Sequence, residues 1–206
     1  MSPAGGRGTP RGSVAGIVLA GGRSHRFGRD KLAEEVEGRP LIHHPVSRLR
    51  EVCDRVLVVL AADASEPPMP AGAQVTFAYD AAIGEGPLRG LASGLAAAGT
   101  EWAVVVGGDM PDLQSAVLRE MLRAGRETGA VAVALSERGD AVPLPCVLSV
   151  GPAAEAVGAL LEGGRRSLRD ILSAVRTVVV DEATWTVLDP ERRTLIDIDE
   201  PGDVER

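Results

Sequence analysis

Lys31 closes a thirteen-residue stretch, Leu19-Ala20-Gly21-Gly22-Arg23-Ser24-His25-Arg26-Phe27-Gly28-Arg29-Asp30-Lys31, that packs three glycines and four Lys/Arg residues together. Glycines reach positive φ and let successive backbone N–H groups approach a ligand with no Cβ in the way. Such a turn is an anion-binding concavity. Arg26 would add a planar fork of donors and Lys31 a mobile point charge. A polyphosphate is the partner this chemistry suits. Gly21-Gly22 alone reads as a plain turn bearing solvated charges. What favours a phosphate site is its place directly after the apolar run that begins at Val14. Neither G-x-x-x-x-G-K-[ST] nor G-x-G-x-x-G occurs here.

A second reactive feature is the carboxylate of Asp109 in "VVVGGDMPDL", which follows a buried-type run and two glycines. At the carboxyl end of a strand it could hold Mg²⁺ against phosphates, because Mg²⁺ takes one or two carboxylates plus substrate oxygens. Its other reading is an Asp that turns the chain or caps the next helix. Near the end of the chain, Asp197 and Asp199 flank Ile198 and would share one face of a strand. Arg165, Arg166 and Arg169 form a cationic cluster within Gly163–Leu172, suited either to a phosphate or to solvent. No H-E-x-x-H or G-x-S-x-G pattern occurs, and His43 and His44 are expected on or near a helix surface.

The elements that must position these groups alternate along the chain. Strands are expected at Val14–Ala20, Arg55–Leu60, Val75–Tyr79, from Trp102, and at Ala130–Leu135. Helices are expected at Pro40–Val52 and Leu88–Ala98, and from Leu113 with Asp112 as a possible N-cap. Beyond these, Val142–Val150, Thr177–Val180 and Thr194–Ile198 read as strands, and Ala153–Glu162 and Leu168–Val175 as helices. The order implies an α/β fold: a doubly wound, mostly parallel sheet between helical layers, three layers in all. Ligands of such sheets sit beyond the carboxyl ends of the strands, so the loops after Leu19, Leu60, Tyr79 and Val106 are the functional ones.

Composition bounds the rest. The chain has 206 residues, 45% of them hydrophobic and only 2% aromatic, so its core must be aliphatic. A flexible tail over 1–12 and one domain over 13–206 are expected. Net charge is −7, from 22 Lys+Arg against 29 Asp+Glu, which argues against a nucleic-acid binder. Cys53 and Cys146 have no metal-ligand spacing and read as buried free thiols of a reducing compartment. No run approaches the ~20 apolar residues of a membrane span. The expected location is cytoplasmic.

The Leu19–Lys31 stretch resembles the L-A-G-G-x-S-x-R-M-G-x-D-K signature of the MobA-like nucleotidyltransferases, with Phe27 where Met is usual. The best-known member of that family, molybdenum cofactor guanylyltransferase, joins GMP from GTP to the phosphate of molybdopterin. The resemblance implies a Rossmann-like nucleotidyltransferase fold with Leu19, Ala20, Gly21 and Gly22 around the nucleotide. It places Lys31 and Arg26 on phosphate oxygens. Asp109 matches the G/C-D-x-P acid that binds Mg²⁺, with Mn²⁺ as a substitute. "EGPLRGL" matches the G-P-L-x-G-L block of the guanylyltransferase branch, which puts Gly86 and Pro87 at the nucleotide. Asp80 matches the acid upstream of that block.

At the C-terminus the family shows D-[IV]-[ND]-T-P-x-D, from which Asp199 and Glu200 depart. The implied partners are GTP and molybdopterin or molybdenum cofactor, with transient contact to cofactor-insertion proteins, and neither nucleic acid nor membrane. The glycine pair and Gly86-Pro87-Leu88 favour GTP, although the Asp-Ile-Asp ending also occurs on the cytidylyl side. The alternatives are a cytidylyltransferase for the same cofactor, an enzyme for another small phosphorylated acceptor, and a non-catalytic paralogue that binds nucleotide or cofactor.

Overall fold

A computed structural model of the chain describes residues 12–21, 31–70, 72–80 and 86–198. In chain order its strands are β1 (Val14–Leu19), β2 (Glu35–Val36), β3 (Arg39–Pro40), β4 (Arg55–Leu60), β5 (Val75–Tyr79), β6 (Trp102–Gly107), β7 (Ala132–Glu137), β8 (Asp140–Ser149) and β9 (Thr177–Val180). Its helices are α1 (His43–Arg50), α2 (Pro87–Ala98), α3 (Ser115–Thr128), α4 (Val150–Glu162), α5 (Leu168–Ala174) and α6 (Glu182–Trp185).

Seven strands join in the order β5-β4-β1-β6-β8-β7-β9. All neighbours are parallel except β8, which runs antiparallel to β6 and β7. The near-continuous apolar runs of β1, β4 and β6 follow from burial on both faces. Val14 and Val18 join one apolar layer with Val46 and Leu49 of α1 and Leu118 and Met121 of α3. Ala15 and Ile17 face the other way, into a layer with Leu91 of α2, Val157 of α4 and Ile171 of α5. The result is the expected three-layer, mostly parallel α/β sheet. Glycine sets the helix approach on both sides of β1. A Cβ on Gly16 would lie 2.9 Å from Leu49 Cβ, and one on Gly94 would lie 2.8 Å from Ile17 Cγ2.

Several sequence expectations are corrected. Thr194–Ile198 is not a strand. It holds a 3₁₀ turn, Arg193–Leu195, because the buried Asp189 takes the Thr194 N–H at 2.7 Å instead of a ladder partner. The cap of α3 is Gln114 rather than Asp112, and its N–H donates to Thr194 Oγ1 at 3.1 Å. Helix α1 starts at His43, because Pro40 belongs to β3. His44 is buried, not on a surface. Its Nδ1 accepts from Arg39 Nη2 at 3.1 Å, and its Nε2 therefore carries the proton that it donates to the Val36 carbonyl at 2.9 Å. Both cysteines are free, Cys146 buried as expected and Cys53 only half-buried. Burial pushes the Cys53 and Cys146 thiols up to about 12, which leaves them unreactive. Among the described residues no helix is long and apolar enough to cross a membrane.

Candidate active site

The carboxyl ends of β5, β4, β1 and β6 form one continuous rim. Asp80 N–H donates to the Leu60 carbonyl at 2.8 Å, Ala20 N–H to the Val59 carbonyl at 2.8 Å, and Gly108 N–H to the Leu19 carbonyl at 3.0 Å. These bonds carry the sheet ladder one step past the strands. Asp80, Ala20 and Gly108 are thereby held in register above the edge, where open parallel sheets bind their ligands. Gly21 sits beside Ala61, but not at positive φ. A Cβ there would meet Ala61 N at an ordinary 3.5 Å, so no packing within the protein demands a glycine at this position. Gly22 and Arg26, and the expected contacts of each, lie outside the described residues, as does Asp199.

Lys31 and Asp109 are 78 positions apart in sequence and meet at the rim, with Lys31 Nζ 3.0 Å from Asp109 Oδ2. The Lys31 side chain is only 10% exposed and the Asp109 side chain 33%. The burial is one-sided: loss of Asp109 would leave the Lys31 ammonium with little water, whereas the Asp109 carboxylate keeps a third of its exposure. Asp109 owes its direction to Gly107, where a Cβ would overlap Asp109 Oδ1, so the carboxylate folds back over the strand end. Lys31 is placed by the following residue, Leu32, whose methyls would lie 3.1 and 3.3 Å from a Cβ on Gly108.

Two further segments converge on this pair. Ile198 N–H donates to the Asp109 carbonyl at 3.0 Å, which brings Asp197 to the same rim although no strand carries it there. The hairpin β2–β3 packs Val36 against Leu41, Ile198 and Leu32. Sequence reasoning missed this hairpin. Its cue was Glu37-Gly38, both at positive φ (51° and 75°), the signature of a two-residue turn between antiparallel strands.

Gly86 caps α2 at φ 85°, with Pro87 at the first helical position, where its missing N–H costs nothing. A Cβ on Gly86 would lie 3.0 Å from the Arg166 carbonyl oxygen, and that oxygen accepts from Leu88 N–H at 3.2 Å. Two stretches marked separately in the sequence therefore dock on each other. Within the arginine cluster, Arg165 is ion-paired with Asp170 and holds its carboxyl below the usual range. Arg166 bonds the Arg165 carbonyl at 2.8 Å. The Asp170 carboxylate also completes a capping box with Ser167 at the start of α5.

The donors suit a hard divalent ion. Asp109 offers carboxylate oxygens at an accessible strand end, with Asp197 one residue from the amide that bonds its backbone. Among the described residues no group of three or more His, Cys, Asp or Glu could cage a metal. Mg²⁺ can be held by one or two protein carboxylates, because substrate oxygens and water complete its shell.

Comparison with known proteins identifies the family and the fold. Residues 16–178 match the model of the MobA-like NTP transferase domain. A probable molybdenum cofactor guanylyltransferase of Natronomonas pharaonis is 32% identical over 198 residues, which cover 95% of this chain and 96% of the relative. The crystal structure of molybdopterin-guanine dinucleotide biosynthesis protein A from Archaeoglobus fulgidus superposes with a TM-score of 0.74 at 21% identity, covering 93% of this chain and 95% of that one. A Thermus thermophilus 2-C-methyl-D-erythritol 4-phosphate cytidylyltransferase has the same fold, with a TM-score of 0.69 at 20% identity over 94% of this chain and 96% of that one. The fold alone therefore does not select a base or an acceptor. On the extent of the domain match and the near full-length likeness to its relatives, the chain belongs to the MobA-like NTP transferase family and is a nucleotidyltransferase.

Proposed function

We propose that the chain transfers GMP from GTP to the phosphate of molybdopterin or molybdenum cofactor and releases pyrophosphate. The observation that carries this reading is the 3.0 Å meeting of Lys31, at the end of the glycine-rich loop, with Asp109, at the end of β6. An acceptor phosphate oxygen attacks the α-phosphorus and the bond to the β-phosphate oxygen breaks. The acceptor phosphate is already ionised at neutral pH, so no strong base is needed. Catalysis is positioning and charge neutralisation, as in phosphoryl transfer generally.

Bound Mg²⁺, with Mn²⁺ as a substitute, would supply positive charge shared among the phosphate oxygens. Asp109 would hold it. Lys31 would move its ammonium from the Asp109 carboxylate onto a phosphate oxygen by rotation about its flexible stem, and Arg26 would offset charge growing on the leaving group. Leu19, Ala20, Gly21, Gly22 and Asp80 would surround the nucleoside and its phosphates. The resemblance of the block holding Gly86 and Pro87 to the G-P-L-x-G-L segment of the guanylyltransferases supports guanine as the base. The relatives named as guanylyltransferases support the same choice.

The test is pyrophosphate release with each of the four nucleoside triphosphates, with and without molybdopterin. GTP with molybdopterin should be the productive pair. Lys31→Ala and Asp109→Asn should each lose ~10²–10³-fold in rate, as when one preorganised charge donor is deleted. Turnover with CTP alone would move the assignment to the cytidylyl side, and no turnover with any pair would sink it.

A further inference from the structure

The small apolar cluster at the rim has a role that its size does not suggest. Val36 (8% exposed), Leu41 (0%) and Ile198 (3%) pack together apart from the two large apolar layers, with Leu32 against them. They come from three places: the β2–β3 hairpin, the link into α1, and the C-terminal segment. Two members of the cluster, Leu32 and Ile198, adjoin charged groups of the site. Leu32 follows Lys31, Ile198 follows Asp197, and Ile198 N–H is bonded to the Asp109 carbonyl at 3.0 Å. The turn carrying Lys31 is closed by its own backbone, with Glu34 N–H on the Lys31 carbonyl at 3.2 Å, Leu41 N–H on the Glu34 carbonyl at 2.8 Å and Ile42 N–H on the Leu32 carbonyl at 3.2 Å. Beyond those bonds, the hairpin offers only two residue pairs of its own. Apolar contact adds to these bonds, to the Lys31–Asp109 ion pair and to the hydrogen bonds of His44, and Ile198 supplies the part of it that arrives from the far end of the chain.

We propose that Ile198 is a positioning residue: its buried contact with Val36, Leu41 and Leu32 holds the Lys31 turn against Asp109, so the C-terminal segment sets the geometry of the nucleotide-phosphate site. The kinetic part of this rests on the nucleotidyl-transfer reading above, and the structural part does not. Ile198 touches no reacting atom. It acts through Lys31 and Asp109, where a displacement on the order of 1 Å changes rates substantially.

The experiment compares wild type, Ile198→Ala and Ile198→Val by amide hydrogen exchange without ligand and by steady-state kinetics with Mg²⁺ and GTP. In Ile198→Ala the Leu41 and Ile42 amides should exchange about tenfold faster while Val104–Val106 keep wild-type protection, as for a local opening. KM for the nucleotide should rise about tenfold or more and kcat should fall with it, and Ile198→Val should recover both. Unchanged exchange at Leu41 and Ile42 would overturn the proposal. So would acceleration that spreads to Val104–Val106 and is not rescued by valine, since that marks a merely structural role. If wild type turns over no nucleotide, the transfer reading fails on its own, and the exchange comparison still decides whether Ile198 holds the turn.

Discussion

At the residue scale, the direction of one carboxylate matters more than its presence. Asp109 folds back over Gly107, which has no Cβ to block it. Gly107→Ala should therefore force the carboxylate off the strand end and away from Lys31 without removing any charge. The expected outcome is a rise of roughly tenfold or more in the Mg²⁺ concentration for half-maximal rate, on the scale of a disturbed supporting contact at a metal site. A variant with wild-type Mg²⁺ dependence would show that Asp109 is held by other contacts. Lys31 and Asp109 could both be picked out in the sequence by type and setting, a cation closing a glycine-rich loop and an acid ending an apolar run. Their convergence was legible too, since both follow strands of one parallel sheet, but their direct contact was not, because it depends on β1 lying beside β6.

At the element scale, the hairpin β2–β3 is pinned to α1 by His44, which bridges Arg39 and the Val36 carbonyl. Burial holds the His44 pKa below its ordinary 6.5 and Arg39 pushes the same way. The Val36 carbonyl, Glu37 and Asp112 act in the opposite direction. The unfolded chain thus takes up a proton more readily than the folded one. The stability contributed by neutral His44 is full above pH 6.5 and is lost as pH falls through the lower folded-state value. Urea midpoints measured from about pH 7 down to pH 5 should decline, and His44→Gln should flatten that part of the slope. An identical slope in the variant would assign the acid sensitivity elsewhere. The hairpin escaped sequence reading because two residues per strand give no periodicity, and its one clue was a turn dipeptide. Thr194–Ile198 misled for the opposite reason. Its β-branched residues alternate as in a strand, but a buried side chain, Asp189, takes the backbone donor a strand would need.

At the scale of the whole molecule, the two apolar layers lie on opposite faces of one sheet. Leu118 is buried in one and Leu91 in the other. Leu118→Ala and Leu91→Ala should each cost ~2–5 kcal/mol, and the double variant should equal their sum to within about 0.5 kcal/mol in urea unfolding. Circular dichroism and fluorescence should trace a single coincident transition, as expected if residues 13–206 fold as one unit. Two separate transitions would divide the chain. The α/β alternation was plain in the sequence because β1, β4 and β6 are buried on both faces and read as apolar runs. The direction of β8 was not, since residue pattern encodes which faces of a strand are buried but not which way it runs. That reversed strand has a consequence for biosynthesis. β1, β4 and β5 all emerge from the ribosome before β6, yet the far edge of β6 has no partner until Cys146–Ser149 has been made. In that interval the nascent chain carries a bare, apolar strand edge, the feature most prone to aggregate, and holdase chaperones should bind it more strongly when translation stalls before Ser149 than after.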